Sequence, residues 1–147
     1  MTENLQLVEH LVRVQTRLWN QLDRVLLADH QVSMAWLVAL RVLDAAPGSR
    51  VQDLAENIDI SPGGASKLVD RLVAAGLVDR EIDSDDRRVS RLRLTAPGRR
   101  AGRDGSRRAE AWLVSRFGPV IAGAGGDQLE AMLDRLDAAL DGQRVDA

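Results

Sequence analysis

A mainly α-helical chain carrying one small β-hairpin is predicted by three observations. Apolar residues recur at steps of three and four over most of the 147 residues. One stretch, Ser61 to Thr95, leaves that period for two short β-competent runs around a charged tip. Ser33, Ser61 and Thr95 supply helix starts, the latter two with Pro62 and Pro97 close behind.

The first helix is expected from about Leu5 to Ala28, where Leu5, Val8, Leu11, Leu18, Leu22 and Val25 fall at helical spacing and more than one face is apolar. Such a helix packs on a second chain as well as on its own core. Ser33 caps a second helix, Met34 to Ala45, almost wholly apolar and therefore the buried centre. Pro47-Gly48 makes a turn, and Ser49, followed three on by Gln52, reads as a capping box opening a short helix, Val51–Asn57. After the connector Asn57–Ile60, Ser61 caps a fourth helix that Gly76 terminates. Two short helices joined by a brief turn form a helix-turn-helix pattern.

The hairpin runs from Val78 to Leu94, its tip at Asp83-Ser84-Asp85-Asp86-Arg87-Arg88. On the return strand Ser90, Leu92 and Leu94 share one face, and Val89, Arg91 and Arg93 the other. Thr95-Ala96-Pro97-Gly98 opens a fifth helix that continues to Phe117, weakened in its first half by Gly102 and Gly105. Gly118–Gly126 reads as a flexible loop, and Asp127–Glu130 as the start of a last helix with Leu129, Met132, Leu133, Leu136 and Leu140 on one stripe. The expected order is α1-α2-α3-α4-β-β-α5-α6.

Charge is unevenly placed. The net charge is −2, yet Ser61–Arg108 holds twelve Lys/Arg against seven Asp/Glu, and the remainder carries −7. Phosphate attraction is local, screened within ~10 Å, so a basic segment on an acidic scaffold is compatible with nucleic acid. The length fits one domain. Cysteine is absent, which removes disulfides, thiolate metal sites and thiol redox chemistry. No run approaches the ~20 apolar residues of a membrane span and the start lacks a basic-then-apolar leader, so a cytoplasmic protein with no membrane partner is expected. His10 and His30 have no metal-ligand spacing, and no cofactor is expected. Without a cysteine, a tyrosine, a Gly-x-Ser-x-Gly elbow or a phosphate loop, the parts of an enzyme are missing and no catalytic residue is assigned.

Asp86-Arg87-Arg88, followed by Leu92-x-Leu94-Thr95 and Gly98, resembles the wing signature of the MarR family of winged helix-turn-helix regulators, Asp-x-Arg and then Leu-Thr-x-x-Gly. The similarity covers nearly the whole of 1–147. It implies a DNA-binding lobe over 33–98 and a helical dimerisation region over 1–30 and 99–147. It further implies a homodimer acting on a pseudo-palindromic operator, usually as a repressor, and in many members a small aromatic or lipophilic ligand that weakens DNA binding.

The chain departs from the family at the first turn of the recognition helix, where Pro62-Gly63-Gly64-Ala65 stands in place of polar Ser/Thr side chains. Base readout then falls on Ser61, Ser66 and Lys67, with Ala65 placed to touch a thymine methyl. More weight goes to backbone contacts at Gly63 and Gly64, to the wing and to DNA shape. Lys67 is the only lysine in the chain. Arg71 is expected to pair with Asp70 or Asp53, with a secondary phosphate role. Arg88 is expected in the minor groove and Arg87 on phosphates, with Asp86 holding the guanidinium fork. By resemblance the effector pocket lies at the first, second and fifth helices, which hold Trp19, Trp36 and Trp112; His30, Arg13 and Arg17 offer polar handles. The rival is a winged-helix dimer that binds proteins or ligands but not DNA.

Overall fold

The computed structural model describes residues 2–30, 32–86 and 89–141. Its elements are α1 (Thr2–His30), α2 (Met34–Ala45), α3 (Val51–Asn57), α4 (Pro62–Ala74), β1 (Val78–Ile82), β2 (Ser90–Leu94), α5 (Ala96–Ile121) and α6 (Ala124–Asp141). They fall into two compact units, Met1–Ala109 and Glu110–Ala147.

The first unit is built on α2. Ser33 caps it by accepting the Trp36 N–H at 3.1 Å, and Asp23 of α1 takes the Met34 N–H at 2.7 Å. Two N–H groups that the helix cannot satisfy itself are thereby paired. With Leu37, Leu40 and Leu43 of α2, the core comprises Leu22 and Leu26 of α1, Leu54 of α3, Val69 and Leu72 of α4, Val78 of β1 and Leu92 of β2, all 5% exposed or less. Burial of each such leucine is worth roughly 1.5–3 kcal/mol, so this cluster supplies most of the stability.

The helix α3 starts differently from the capping box expected at Ser49. Arg50 is the N-cap residue, and its N–H donates to the Asp53 carboxylate at 2.8 Å. Ser49 is drawn away by two other bonds: its hydroxyl donates to the Ala46 carbonyl at 2.6 Å, and its carbonyl accepts the Leu92 N–H at 2.8 Å. With the Gly48 N–H donating to Leu92 O at 2.9 Å, the turn after α2 lies along β2 like a further strand.

Recognition helix, hairpin and α5 meet at one joint. Gly76, at φ +71°, ends α4; its N–H reaches Val73 O and the Leu77 N–H reaches Leu72 O, which is a Schellman motif. Leu77 O accepts the Thr95 N–H at 3.1 Å. The Thr95 hydroxyl donates to Gly76 O at 2.7 Å and accepts the Gly98 N–H at 3.0 Å, capping α5. Gly98 itself lies against the Leu77 carbonyl, where a Cβ would stand 1.9 Å from the oxygen. Further along α5, a Cβ on Gly105 would meet Leu37 at 3.1 Å, and one on Gly102 would meet Leu40 at 3.6 Å. These glycines, read from the sequence as weak points of a helix, are the face by which α5 approaches α2.

In the second unit, Trp112 and Phe117 stack edge-on with centroids 5.6 Å apart. The flexible loop expected over Gly118–Gly126 is instead a tight corner. Helix α5 continues through Gly118 and Pro119 to Ile121, Gly123 turns the chain at φ +62°, and α6 begins at Ala124 rather than Asp127. A Cβ on Gly126 would lie 2.3 Å from Ile121 O, so this glycine is there for close backbone approach and not for freedom.

Gly98→Ala is expected to destabilise the chain by ~1–3 kcal/mol or more, because a backbone carbonyl must move to admit the methyl. Gly63→Ala, with nothing within 4 Å of its Cβ position, is expected to be neutral or stabilising by up to ~1 kcal/mol. Urea melts of the two variants check this; equal midpoints would contradict the joint.

Candidate nucleic-acid interface

The turn from α3 to α4 is closed by backbone: the Ile60 N–H donates to Ala55 O at 3.0 Å while Asp59 adopts φ +53°. Leu54 and Ala55 on α3 and Ala65, Val69 and Leu72 on α4 are buried and hold the two helices together. The opposite face of α4 is thereby turned outward, with Gly63, Lys67, Asp70 and Arg71 exposed and Ser66 half-buried beside them.

Ser61 is exposed and its Oγ accepts the Gly64 N–H at 3.1 Å, leaving the hydroxyl hydrogen to donate. That bond accounts for Gly64, whose Cβ would press on Ser61 Oγ at 3.1 Å. Gly63 has no steric reason to be glycine, since its Cβ position is open. The expectation for Ala65 is overturned: it is 0% exposed, because it sits two residues beyond outward-facing Gly63, on the side of α4 turned to the core. Arg71 is exposed, but neither expected carboxylate serves it in the way foreseen. Asp70 pairs with Arg80 of β1 at 2.5 Å, and Asp53 takes the Arg50 N–H.

The hairpin pairs Val78 with Leu94, Arg80 with Leu92 and Ile82 with Ser90. Buried Val78 and Leu92 anchor it, and period two carries Arg80 onto the same face as Val78, beside α4. The Arg80–Asp70 contact therefore ties wing to recognition helix. At the tip the Asp83 N–H donates to Val89 O and the Val89 N–H to Asp86 O, both at 2.9 Å. One Asp83 oxygen accepts the Asp85 N–H at 2.9 Å and the other accepts Arg91 Nε at 2.7 Å. Arg91 also reaches Gly48 O at 3.2 Å, joining the wing to the turn after α2. Arg80, Asp83 and Arg91 were not singled out in the sequence; strand alternation from Val78 is the signal that finds Arg80. Arg87 and Arg88 lie outside the described residues. Asp86 is described, and its carbonyl helps close the tip.

Of the residues expected to hold an effector, Trp19 is exposed on α1 in a hollow of about 210 Å³ walled by Gln15, Thr16 and Asn20 of the same helix. Arg13 and Arg17 are exposed on α1, and Trp36 is half-buried on α2. Trp112 belongs to the second unit, and the His30 side chain lies outside the described atoms. Among the described residues no three His, Cys, Asp or Glu gather as metal ligands, and no single helix is long and apolar enough to cross a membrane.

The Asp85 N–H, and after it the Arg91 guanidinium, holds the Asp83 carboxyl below its ordinary 3.8. Folding lowers this pKa, so the contribution of Asp83 to wing stability is full above pH ~4 and is lost as the pH falls through the folded value. The protection of the Asp85 amide, the intrinsic exchange rate relative to its own rate at the same pH, is expected to fall on acidification. Asp83→Asn is expected to abolish that acid-specific loss of protection; the same acid response in the variant would contradict the assignment.

The MarR family model matches residues 30–89. No curated protein sequence matches the chain. Among solved structures it is similar to AbsC, a MarR family transcriptional regulator from Streptomyces coelicolor, at 27% identity and TM-score 0.82, over 96% of this chain and 95% of that one. It is similar to the transcriptional repressor CouR from Rhodococcus jostii, solved bound to a 23-mer DNA duplex, at 26% identity and TM-score 0.72, over 89% of each chain. A mutant MarR from E. coli complexed with operator DNA shares the fold at 19% identity and TM-score 0.82, over 91% and 95%. With a family model across the helix-turn-helix and first wing strand, and whole-chain likeness to solved regulators, the chain is similar to the MarR family of winged helix-turn-helix transcriptional regulators.

Proposed function

We propose that the chain acts as a homodimer on a pseudo-palindromic operator, usually to repress, through residues of α4 and the wing. The observation that carries this is the outer face of α4. It presents Lys67, Arg71 and Ser66, with an unobstructed backbone at Gly63, and it is fixed to the adjacent wing by Arg80–Asp70. An open backbone at the head of the helix lets a phosphate approach closely, and Lys67 reaches a phosphate or a guanine edge. Arg87 and Arg88, at the tip of the hairpin in sequence, extend the contact, with Arg88 suited to a narrow minor groove.

Two apolar stripes support the dimer. Leu5, Val8, Leu11 and Val12 on α1, and Leu129, Met132, Leu133 and Leu136 on α6, are each 43–61% exposed. Patches this large on a single chain mark an interface, and obligate homodimers bury more than ~2,000 Å². The roles of 33–98 as DNA-binding lobe and of 1–30 with 99–147 as dimerisation region follow. An aromatic or lipophilic effector near Trp19 and Trp36 is part of the same proposal, supported by the CouR structure that holds p-coumaroyl-CoA.

Titration of Lys67→Ala and Arg88→Ala against the DNA flanking the chain's own gene, across a salt series, tests the proposal. Each variant is expected to lose roughly 1–3 kcal/mol of affinity per protomer, with a log–log salt slope lower by about one for each phosphate no longer neutralised. Melting temperatures are expected to stay put: Lys67 is exposed, and a charge on a surface contributes little to folding. Unchanged affinity and slope in both variants would overturn the assignment of these residues.

A further inference from the structure

A cavity of about 440 Å³ opens between α2 and the first half of α5, away from the recognition helix. That volume is within the range of small-molecule sites. Buried Leu40 and half-buried Leu94 line it with carbon, and Gly102 keeps its α5 wall low. The rest of the lining is strongly charged. Arg41 stands on the α2 side, and Arg99, Arg103 and Arg107 on the α5 side, against the single lining carboxylate of Asp44.

The three arginines on α5 recur at every fourth residue, one stripe along one face. Like charges at that spacing repel, so the stripe weakens the helix unless an anion lies over it. Internal bonds use up only part of it: Arg99 donates to Leu94 O at 2.8 Å, and Arg107 pairs with Asp104 at 2.5 Å. Planar guanidinium forks on two facing helices match carboxylate or phosphate oxygens bidentately. An excess of three positive charges fits more than one anionic group, and the carbon floor fits a small organic body.

We propose that this cleft binds a small organic polyanion carrying two or more carboxylate or phosphate groups. The site is separate from the DNA-reading face and from Trp19 and Trp36. Isothermal titration of the full chain with citrate and with pyrophosphate, at one ionic strength of about 0.15 M, distinguishes carboxylate from phosphate as the source; benzoate serves as the monoanion control. At least one polyanion is expected to bind once per chain, at least roughly tenfold tighter than benzoate. Arg41→Gln and Arg103→Gln are each expected to weaken binding roughly tenfold, Arg103→Lys to weaken it less, and Lys67→Ala to leave it unchanged. All three positions are exposed, and a melt of each variant without ligand confirms the fold. Absence of binding by both polyanions would overturn the proposal, as would binding that Lys67→Ala weakens as much as Arg103→Gln. Loss of DNA affinity in Arg41→Gln and Arg103→Gln without any polyanion binding would overturn it too, and assign the arginines to the DNA backbone.

Discussion

The contact of Gly98 with the Leu77 carbonyl is the constraint on which the rest of the first unit depends. Three elements converge within a few residues of it: the end of α4, the roots of both hairpin strands and the start of α5. One carbonyl accepts the Thr95 N–H and faces the bare Cα of Gly98, and one threonine bonds back to Gly76 and forward to Gly98. Any side chain at 98 would push α5 from the hairpin. The recognition helix would lose its fixed angle to the wing in the same movement. The Leu-Thr-x-x-Gly pattern is thus a packing requirement, with threonine as cap and glycine as clearance.

Stability and aim are supplied by different residues. The leucines and valines around α2 hold the unit together, each worth far more than a surface ion pair at roughly 0–1 kcal/mol. The pairs Arg80–Asp70, Arg91–Asp83 and Arg93–Glu81 therefore matter for direction. They orient the wing against α4 and against the turn after α2, and they occupy carboxylates that would otherwise repel phosphate. Lys67 and Arg71 are left facing outward on a helix whose one exposed acid, Asp70, already has a cation beside it.

What was legible in the sequence was local. Ser33 and Ser61 each bond a main-chain N–H three residues on, so the starts of α2 and α4 could be read directly, and the bounds Met34–Ala45 and Val51–Asn57 agree with the structure. What was not legible depends on partners distant in sequence. Ser49 looks like a cap until Leu92 claims its carbonyl. Gly102 and Gly105 look like helix weaknesses until Leu40 and Leu37 lie against them. Gly118–Gly126 looks like a loop until Ile121 O is found where the Cβ of residue 126 would be. Ala65 was legible as core, since it stands at i, i+4 and i+7 with Val69 and Leu72, and the expectation of a thymine contact passed over that period. Of the candidate site, the Asp-x-Arg tip and Lys67 were visible as charge, whereas Arg80 and Arg91 acquire a role only once the strand register is fixed.

The most direct test of the central claim, that two copies of this winged helix read DNA together, is selection of binding sites from random duplex DNA with the full chain. Two-fold symmetry predicts enrichment of an inverted repeat, its half-sites about one helical turn, ~10 bp, apart. Because Gly63 and Gly64 bring no side chains to the groove, A·T preference is expected where the wing reaches the minor groove. Recovery of a direct repeat, or of no motif, would contradict the account.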